Sequence, residues 1–347
     1  MSLRFGINGF GRIGRALLRI LLTREDLPPG LEPAAVNDIV SAPILARLLA
    51  RDSVHGPFSL PVRAEGDTLI VGELRIPVFH EPDPALVPWG EAGVESVVEA
   101  TGRFLQRGQA AAHLRDGVRT VLLSANSDPE EPADVTLCRG IAEDWDPERQ
   151  TVASNASCTT NALALVAKVL HDRFGVRRAL MSTVHSYTEN QRLLDLAHPD
   201  PRRSRAAALN IIPTSTTAAQ GAGLLLPELA GRIDGFSVRV PTPAVAMLDL
   251  VADLARETAA EEIRQAYMDT AAGALAGLLG VTEDEPVSSD FLGDPRSAVV
   301  DLPLIQTAGS LTRVVAWYDN EWGYSNRLAE LLARLTILRE NRGGSDA

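Results

Sequence analysis

The segment LRFGINGFGRIGRALLRILL, residues 3–22, places three glycines between a short apolar stretch and a run with helical spacing. Gly9, Gly11 and Gly14 form the pattern G-x-G-x-x-G, which is typical of dinucleotide-binding domains when a strand precedes it and a helix follows it. The first glycine permits a tight turn, the second lets the backbone approach a pyrophosphate, and the third lets helix and strand pack closely. The pyrophosphate would bind the N–H groups at the helix start. The segment therefore predicts a doubly wound dinucleotide-binding fold.

An acidic residue strengthens this interpretation, because the glycine pattern alone also fits an ordinary turn in an α/β protein. Asp38 ends the next predicted strand, Pro33 to Asp38. A carboxylate there can accept hydrogen bonds from the adenosine ribose hydroxyls and repel a 2′-phosphate, so the site should prefer NAD over NADP. The segment Pro28 to Gly30 puts Asp38 farther from the glycines than usual. Asp26, the alternative, lies in the loop.

A cysteine in a polar segment is the predicted nucleophile. Cys158 lies in SNASCTTN, residues 154–161, just before an apolar run with helical spacing. The start of a helix lowers the pKa of a thiol and favours the reactive thiolate. A structural cysteine is expected among aliphatic side chains, as Cys138 is in the strand pattern Asp134 to Cys138.

Possible partners of this cysteine follow in the second half of the chain. His185 ends a strand pattern, where its imidazole could face Cys158 and act as a base. The other five histidines have no comparable context. Arg202, its neighbours and Arg239 are cationic groups in an acidic chain, and guanidinium groups beside threonine hydroxyls suit a phosphorylated substrate. For any single arginine, a subunit interface or a surface salt bridge is the alternative.

Composition limits the class of protein and its partners. A length of 347 residues predicts two domains, and the net charge of −12 without a Lys/Arg block argues against a nucleic-acid partner. No apolar run reaches membrane-span length and no charged-then-apolar leader is seen, so we expect a cytoplasmic protein without a membrane partner. Two cysteines fit a reducing compartment, and the lack of metal-ligand spacing predicts no metal site.

The order of predicted elements changes along the chain. Strands and helices alternate in the first half, whereas longer β-rich runs from Ala179 onward indicate a mostly antiparallel sheet. We predict an α/β protein with an N-terminal doubly wound NAD-binding domain, residues 1–157, completed by a C-terminal helix at about 323–340. An α+β catalytic domain would occupy residues 158–322.

The chain resembles the type I phosphorylating glyceraldehyde-3-phosphate dehydrogenases, as a somewhat divergent member, nearly from end to end. Seven blocks carry the resemblance: INGFGRIGR (7–15), DSVHG (52–56), SNASCTTN (154–161), HSYT (185–188), NIIPTST (210–216), SSDF (288–291) and YDNEWGYS (318–325). No other family combines these blocks.

The resemblance implies an enzyme that oxidises glyceraldehyde 3-phosphate to 1,3-bisphosphoglycerate, a step of glycolysis, through a thioester on Cys158 with His185 as base. NAD would be the cofactor, inorganic phosphate the second substrate, and the assembly a homotetramer. The implied cofactor-binding residues are Gly9, Gly11, Arg12, Ile13, Gly14, Asp38, Thr101, Ser124 and Asn320. The implied phosphate-binding residues are Ser157, Thr159, Thr188, Arg202 or its neighbour, Thr216, Thr217 and Arg239.

Several positions depart from the pattern of this family. Glycine, lysine, asparagine, an arginine near the adenine and a second cysteine are replaced by Thr217, Gln220, Ala244, Pro82 and Ala162. Thr217 puts the affinity for inorganic phosphate in doubt. One alternative is a dehydrogenase of another phosphorylated aldose, such as erythrose 4-phosphate, although Tyr187-Thr188 matches the triose enzymes better. A second is a binding or redox-sensing protein, which the joint presence of the predicted catalytic residues disfavours.

Overall fold

The computed structural model describes residues 2–343, and their side chains as far as residue 339. The chain divides into two compact units. The first contains Met1–Leu137, Asp144–Ala156 and Ser325–Ala347, and the second contains Cys138–Glu143 and Ser157–Tyr324.

A nine-stranded sheet organises the first unit. Its chain contains β1 (Leu3–Asn8), β2 (Leu31–Asn37), β3 (Arg51–Asp52), β4 (Gly56–Pro57), β5 (Val62–Ala64), β6 (Thr68–Val71), β7 (Leu74–Phe79), β8 (Ser96–Glu99), β9 (Thr120–Leu123), β10 (Val135–Thr136) and β11 (Val152–Ser154). The order in the sheet is β10-β11-β9-β8-β1-β2-β7-β6-β5, while β3 and β4 pair with each other.

The pairing is parallel from β10 across to β7 and antiparallel among β7, β6 and β5. The chain winds outward from β1 in one direction through β2 and in the other through β8. The predicted doubly wound sheet is thus confirmed. In such a sheet, ligands bind where the winding direction changes, at the carboxyl ends of the two central strands.

The helices of the first unit are α1 (Arg12–Thr23), α2 (Ala42–Ala50) and α3 (Arg107–Ala111). The three glycines before and in α1 have separate steric roles. Gly9 has a φ of +91°, and a Cβ there would come within 2.7 Å of the backbone nitrogen of Thr101. A Cβ on Gly14 would collide with the carbonyl oxygen of Gly9, whereas a Cβ on Gly11 would meet no atom within 4 Å. These environments match the three roles that the sequence predicted.

The second unit contains α4 (Cys158–Phe174), β12 (Val176–Ser186), β13 (Ile212–Thr214), α5 (Ala218–Leu225), β14 (Ile233–Val240), β15 (Ala246–Leu254), α6 (Ala260–Ala272), β16 (Leu279–Thr282), β17 (Ala298–Asp301), β18 (Gln306–Ala308) and β19 (Leu311–Tyr318). The order in its sheet is β13-β14-β12-β15-β19-β17-β16, with β18 beside β19. Only β12–β14 and β16–β17 pair in parallel, so the predicted mostly antiparallel sheet is confirmed.

The last helix, α7 (Trp322–Gly343), has most of its length in the first unit. Its buried leucines include Leu328, Leu331 and Leu335, and Arg24 at the end of α1 donates hydrogen bonds to Asn326 (3.0 Å) and Glu330 (2.7 Å). Over the described residues, no helix combines the length and the apolar character needed to cross a membrane.

The glycine turn gives a first prediction. Gly14→Ala should lower the free energy of unfolding by about 1–3 kcal/mol, because the new methyl group collides with the carbonyl oxygen of Gly9. Gly11→Ala is the matched control. Alanine is a poorer residue at the start of the helix, but it also reduces the entropy of the unfolded chain, so its net effect should stay within about 0.5 kcal/mol.

Urea unfolding and NAD titration of both variants measure the two effects separately. Gly11→Ala should keep its stability and bind NAD more weakly, since its methyl group occupies the open space in front of the helix. Equal losses of stability in the two variants would contradict the steric assignment.

Candidate functional site

The predicted ribose ligand contacts the glycine turn directly. The Oδ2 atom of Asp38 accepts a hydrogen bond from the backbone N–H of Phe10 at 2.7 Å, and its Oδ1 accepts one from Val40 at 2.9 Å. Asp38 is partly buried, so its carboxylate is held in one orientation at the end of β2. The structure therefore brings Asp38 and Gly9 to Gly11 together at one edge of the sheet.

Arg12, the first residue of α1, forms an ion pair with Asp52. The Oδ1 atom of Asp52 also accepts hydrogen bonds from the backbone N–H groups of Val54 (2.8 Å) and His55 (2.9 Å). Burial acts to raise the pKa of Asp52, but these N–H groups and the Arg12 guanidinium outweigh it and lower the pKa to about 2. The DSVHG block is thereby fixed beside Arg12 at the start of α1.

Two further predicted residues follow adjacent parallel strands. Thr101 comes after β8, and its N–H and hydroxyl group both donate to the Oε1 atom of Glu99, at 2.8 and 2.5 Å. Ser124 follows β9, and its N–H donates to the carbonyl oxygen of Glu99 at 2.9 Å. Both residues thus lie at the same carboxyl edge as the glycine turn.

This edge fits a dinucleotide. The space at Gly11 is open, and the first turn of α1 holds no acidic side chain that would repel an anion. The N–H groups at the start of a helix favour a bound phosphate. The residues present are therefore those that a pyrophosphate and an adenosine ribose require.

In the second unit, Cys158 is the first residue of α4. The side chain of Ser157 caps this helix, because its Oγ atom accepts a hydrogen bond from the backbone N–H of Thr160 at 3.0 Å. The Sγ atom of Cys158 lies 3.6 Å from the Nε2 atom of His185, near the end of β12. The structure brings the predicted nucleophile and the predicted base into contact.

Arg239 lies beside this pair because of the strand register. Strands β12 and β14 pair in parallel, with His185 opposite Arg239. The Nη1 atom of Arg239 is 2.6 Å from the Nδ1 atom of His185, and it donates to the carbonyl oxygen of Ser186 at 3.1 Å. A fixed positive charge therefore lies within contact of the imidazole.

Burial lowers the pKa of His185 to about 3, and the charge of Arg239 acts in the same direction. The Nδ1 atom of His185 faces both the carbonyl oxygen of Ser186, which can only accept, and the Nη1 atom of Arg239, which can only donate. In the tautomer that donates from Nδ1 to Ser186, the imidazole presents Nε2 to Cys158 as an acceptor. Nε2 is therefore placed as a base must be.

The pKa of the Cys158 thiol differs from the sequence prediction. Burial raises it, while Arg239 and the hydroxyl group of Thr159 lower it by less. The predicted lowering of this pKa is wrong, because desolvation of the thiolate outweighs the favourable groups at the start of the helix.

Comparison with known proteins assigns the family. The NAD-binding domain of glyceraldehyde 3-phosphate dehydrogenase matches residues 3–107, and the C-terminal domain of that enzyme matches residues 157–320. The chain belongs to the glyceraldehyde-3-phosphate dehydrogenase family. Glyceraldehyde-3-phosphate dehydrogenase 1 of Streptomyces avermitilis is 49% identical over 95% of this chain and 98% of its own length. Glyceraldehyde-3-phosphate dehydrogenase 1 of Bacillus subtilis is 49% identical over 96% and 98%.

The predicted family, an NAD-dependent oxidoreductase with a Rossmann-type domain, is therefore confirmed, and so is NAD as its cofactor. Within this frame, Asn320 is buried just after β19, and its Oδ1 atom accepts a hydrogen bond from the Ser186 hydroxyl group at 3.1 Å. Ser186 follows His185 directly, so these contacts bring Asn320 close to the base.

The predicted phosphate-binding residues occupy different settings. Thr188 is partly buried and follows β12, whereas Thr216 lies just before α5, where its Oγ1 atom accepts a hydrogen bond from the N–H of Ala218 at 3.2 Å. Thr217 is exposed and has a φ of −94°, which any residue adopts without strain. The replacement of glycine by Thr217 therefore imposes no backbone penalty.

The sequence predicted Arg202 or its neighbour as a phosphate ligand, and the structure places the two arginines in different settings. Arg202 is exposed, and its Nη1 atom lies 3.5 Å from the carbonyl oxygen of Pro213. Arg203 is partly buried, its Nε donates to the Thr214 hydroxyl group at 2.8 Å, and its charge helps to lower the pKa of Arg239. Arg203 also lies 3.4 Å from a carboxylate oxygen of Asp200, so its guanidinium group is held in place.

Tyr318 is a residue of the site that the sequence did not single out. Its hydroxyl group is 2.8 Å from the Oγ1 atoms of both Thr159 and Thr183, and its ring packs edge-on against His185. The block YDNEWGYS contained this tyrosine, but nothing in the sequence indicated that it contacts Thr159 and His185. The Thr159 hydroxyl group therefore already has an interior partner.

The pKa of His185 yields a prediction for stability. Below pH 6.5 the unfolded chain takes up a proton on this histidine and the folded chain does not, so stability falls as the pH drops from 7 toward 3. Between pH 7 and pH 5 the residue should cost the folded state about 1–2 kcal/mol. In His185→Gln, the unfolded chain no longer takes up this proton. Between pH 7 and pH 5, the free energy of unfolding of the wild-type protein should therefore fall by about 1–2 kcal/mol more than that of the variant.

Urea unfolding at pH 7, 6 and 5, at one protein concentration, measures this difference. Parallel pH profiles for the two proteins would show that His185 is protonated in the folded state.

Proposed function

We propose that this protein oxidises glyceraldehyde 3-phosphate to 1,3-bisphosphoglycerate with NAD and inorganic phosphate. The observation that carries the proposal is the contact of 3.6 Å between Cys158 Sγ and His185 Nε2, beside Arg239 and at the start of α4. The names of the relatives support this triose over erythrose 4-phosphate as the substrate. A partly buried thiol in contact with a buried imidazole also suits turnover better than a passive binding role.

The residues of the second unit account for the covalent steps. His185 Nε2 takes the proton of the thiol, Sγ of Cys158 forms a bond to the aldehyde carbon, and His185 returns the proton to the carbonyl oxygen, giving a hemithioacetal. When bound, NAD supplies the acceptor for the hydride that leaves this carbon. His185 takes the proton of the hemithioacetal hydroxyl group, so that an acyl thioester remains on Cys158. An oxygen of inorganic phosphate then bonds to the acyl carbon as the C–S bond breaks. The acyl phosphate leaves, the departing sulfur takes back the proton held by His185, and the proton of the attacking phosphate goes to solvent.

The cofactor would be held by Gly9, Gly11, Arg12, Ile13, Gly14, Asp38, Thr101, Ser124 and Asn320. Asp38 supports a preference for NAD over NADP, because its fixed carboxylate suits ribose hydroxyls and repels a 2′-phosphate. Asn320 would hold the nicotinamide carboxamide, and its hydrogen bond to Ser186 orients the amide for this.

Two groups of residues would bind phosphate. Arg239 and Thr188 would hold the phosphate of the substrate. Ser157, Thr159, Thr216, Thr217 and Arg203, in place of Arg202, would hold the attacking phosphate. The hydroxyl group of Thr159 is bonded to Tyr318, so Thr159 would contribute chiefly its backbone N–H at the start of α4.

We also propose that residues 1–157, completed by the helix at about 323–340, form the NAD-binding domain, that residues 158–322 form the catalytic domain, and that the enzyme is a cytoplasmic homotetramer. Exposed apolar side chains support self-association, since monomeric proteins rarely expose several together. They include Leu193, Leu194, Leu209 and Ile211, each more than 70% exposed in the isolated chain.

Formation of NADH in the presence of phosphate tests the function. Cys158→Ser should lower the rate with glyceraldehyde 3-phosphate by at least about 10³-fold, because a serine hydroxyl group is a much weaker nucleophile, while NAD still binds. Cys138→Ser is the control, since this cysteine is buried against Asn161 and has no proposed role in the reaction. Substantial turnover by Cys158→Ser, or a preference of the wild-type enzyme for erythrose 4-phosphate, would refute the proposal.

The two arginines give a matched prediction. Arg203→Ala should raise the KM for inorganic phosphate by about tenfold, the effect of losing one charge-assisted hydrogen bond. Arg202→Ala should leave this KM within about twofold, because its side chain is exposed. Steady-state rates at varied phosphate concentration measure the KM of both variants. A larger rise of the KM in Arg202→Ala than in Arg203→Ala would indicate that Arg202 binds the attacking phosphate.

A further inference from the structure

A buried polar cluster lies in the first unit, behind the carboxyl edge of its sheet. It consists of Asn8 at the end of β1, Glu99 at the end of β8, Thr101 just beyond, and the side chains of Trp89 and His113. Glu99 is 1% exposed and His113 is 0% exposed. None of these side chains takes part in the thiol chemistry proposed above.

The carboxylate of Glu99 accepts four hydrogen bonds. Its Oε1 atom accepts from the N–H of Thr101 at 2.8 Å and from the Thr101 hydroxyl group at 2.5 Å. Its Oε2 atom accepts from the Nδ2 atom of Asn8 at 2.5 Å and from the Nε2 atom of His113 at 3.2 Å. Donors of fixed direction, the N–H of Thr101 and the Nε2–H of His113, thus face both oxygens of this buried side chain.

The orientation of the His113 ring is set by a group that can only donate. The indole N–H of Trp89 lies 3.0 Å from the Nδ1 atom of His113. Since an indole nitrogen has no lone pair to offer, Nδ1 must be the acceptor, and the ring proton must lie on Nε2. His113 is thereby fixed as a donor to Glu99.

The amide of Asn8 is fixed in the same way. Asn37 accepts from the N–H of Glu81 at 2.9 Å and donates to the carbonyl oxygen of Glu81 at 2.8 Å, which settles the orientation of its amide. The Nδ2 atom of Asn37 also donates to the Oδ1 atom of Asn8 at 2.7 Å. The Nδ2 group of Asn8 is therefore the end that faces Glu99, and a residue at position 99 that carries a donor would not be accommodated.

The cluster is joined to the glycine turn on both sides. Asn8 immediately precedes Gly9, and a Cβ on Gly9 would lie 2.7 Å from the backbone nitrogen of Thr101. Through its one carboxylate, Glu99 contacts both Asn8, which precedes Gly9, and Thr101, whose backbone nitrogen approaches Gly9. We propose that Glu99, with its donor His113, is a positioning residue that fixes the glycine turn against Thr101 in the geometry that binds NAD.

This inference rests on the NAD site of the first unit and is independent of the thioester chemistry. The test is the Kd for NAD, measured by calorimetry without substrate, together with the thermal unfolding midpoint. The rate at which iodoacetamide alkylates Cys158 without NAD reports on the second unit. Wild-type protein that bound no NAD would overturn the proposed function, whereas the variants below address the positioning role alone.

Glu99→Gln can keep its amide oxygen toward Asn8 and His113, but it then places its amide NH2 group against the N–H of Thr101, which loses its acceptor. The variant should raise the Kd for NAD by about tenfold or more, as expected for unpaired buried polar groups. Asp301→Asn is the matched control. Asp301 is a buried carboxylate in the second unit that also contacts an indole, since its Oδ2 atom accepts from Trp317 at 3.0 Å. The Asp301→Asn variant should have a lower thermal unfolding midpoint, and its Kd for NAD should stay within about twofold of the wild type.

A second pair of variants avoids changing the buried carboxylate. His113→Leu removes the donor to Glu99 and the acceptor for Trp89, and it should raise the Kd about tenfold. His113→Gln supplies one amide donor and one amide acceptor, and it should keep the Kd within about threefold of the wild type. Alkylation of Cys158 should proceed at the wild-type rate in every variant.

Three results would overturn the proposal: an unchanged Kd in folded Glu99→Gln, equal Kd values for His113→Leu and His113→Gln, or a Kd for Asp301→Asn that rises as much as that of Glu99→Gln. The last result would show that general destabilisation, and not the position of the turn, controls NAD binding.

Discussion

The fold of the first unit depends on the absence of a Cβ atom in two residues, Gly9 and Gly14. Without a Cβ at Gly14, the carbonyl oxygen of Gly9 can lie against α1, and without one at Gly9, the backbone of Thr101 can approach the turn. These two contacts place the end of β1, the start of α1 and the end of β8 within a few ångströms of one another. Asp38 then closes the turn through the N–H of Phe10.

In the second unit, strand register has the same organising role. The parallel pairing of β12 with β14 sets His185 opposite Arg239, and α4 begins where its first side chain meets the imidazole. Burial of these groups has opposite effects on the acid and the base. It raises the pKa of the thiol and lowers that of the imidazole. In the proposed mechanism, the covalent step therefore begins with a proton transfer within the pair.

The two units bury charge in different ways. Glu99 is surrounded by donors whose orientations are set in turn by an indole and by backbone groups. Arg239 contacts the imidazole and a carbonyl oxygen, and Arg203 adds a second positive charge nearby. Arg203 is paired with Asp200 at 3.4 Å, whereas the guanidinium group of Arg239 contacts uncharged groups and favours a bound anion. The contrast between the two units fits a rigid cofactor edge in one unit and a phosphate-binding site in the other.

The sequence by itself determined the glycine turn and the family, and it predicted Asp38 as ribose ligand, Cys158 as nucleophile and His185 as base, because short motifs encode local geometry and chemistry directly. It also predicted the parallel and antiparallel sheets from the change in pattern near Ala179. Only the tertiary structure distinguished the settings of Arg202 and Arg203, showed Tyr318 in contact with Thr159, and reversed the expected direction for the pKa of Cys158. It alone brought Asn8, Glu99 and His113 together. These results depend on desolvation and on contacts between residues far apart in the chain, and neither is set by a residue's sequence neighbours.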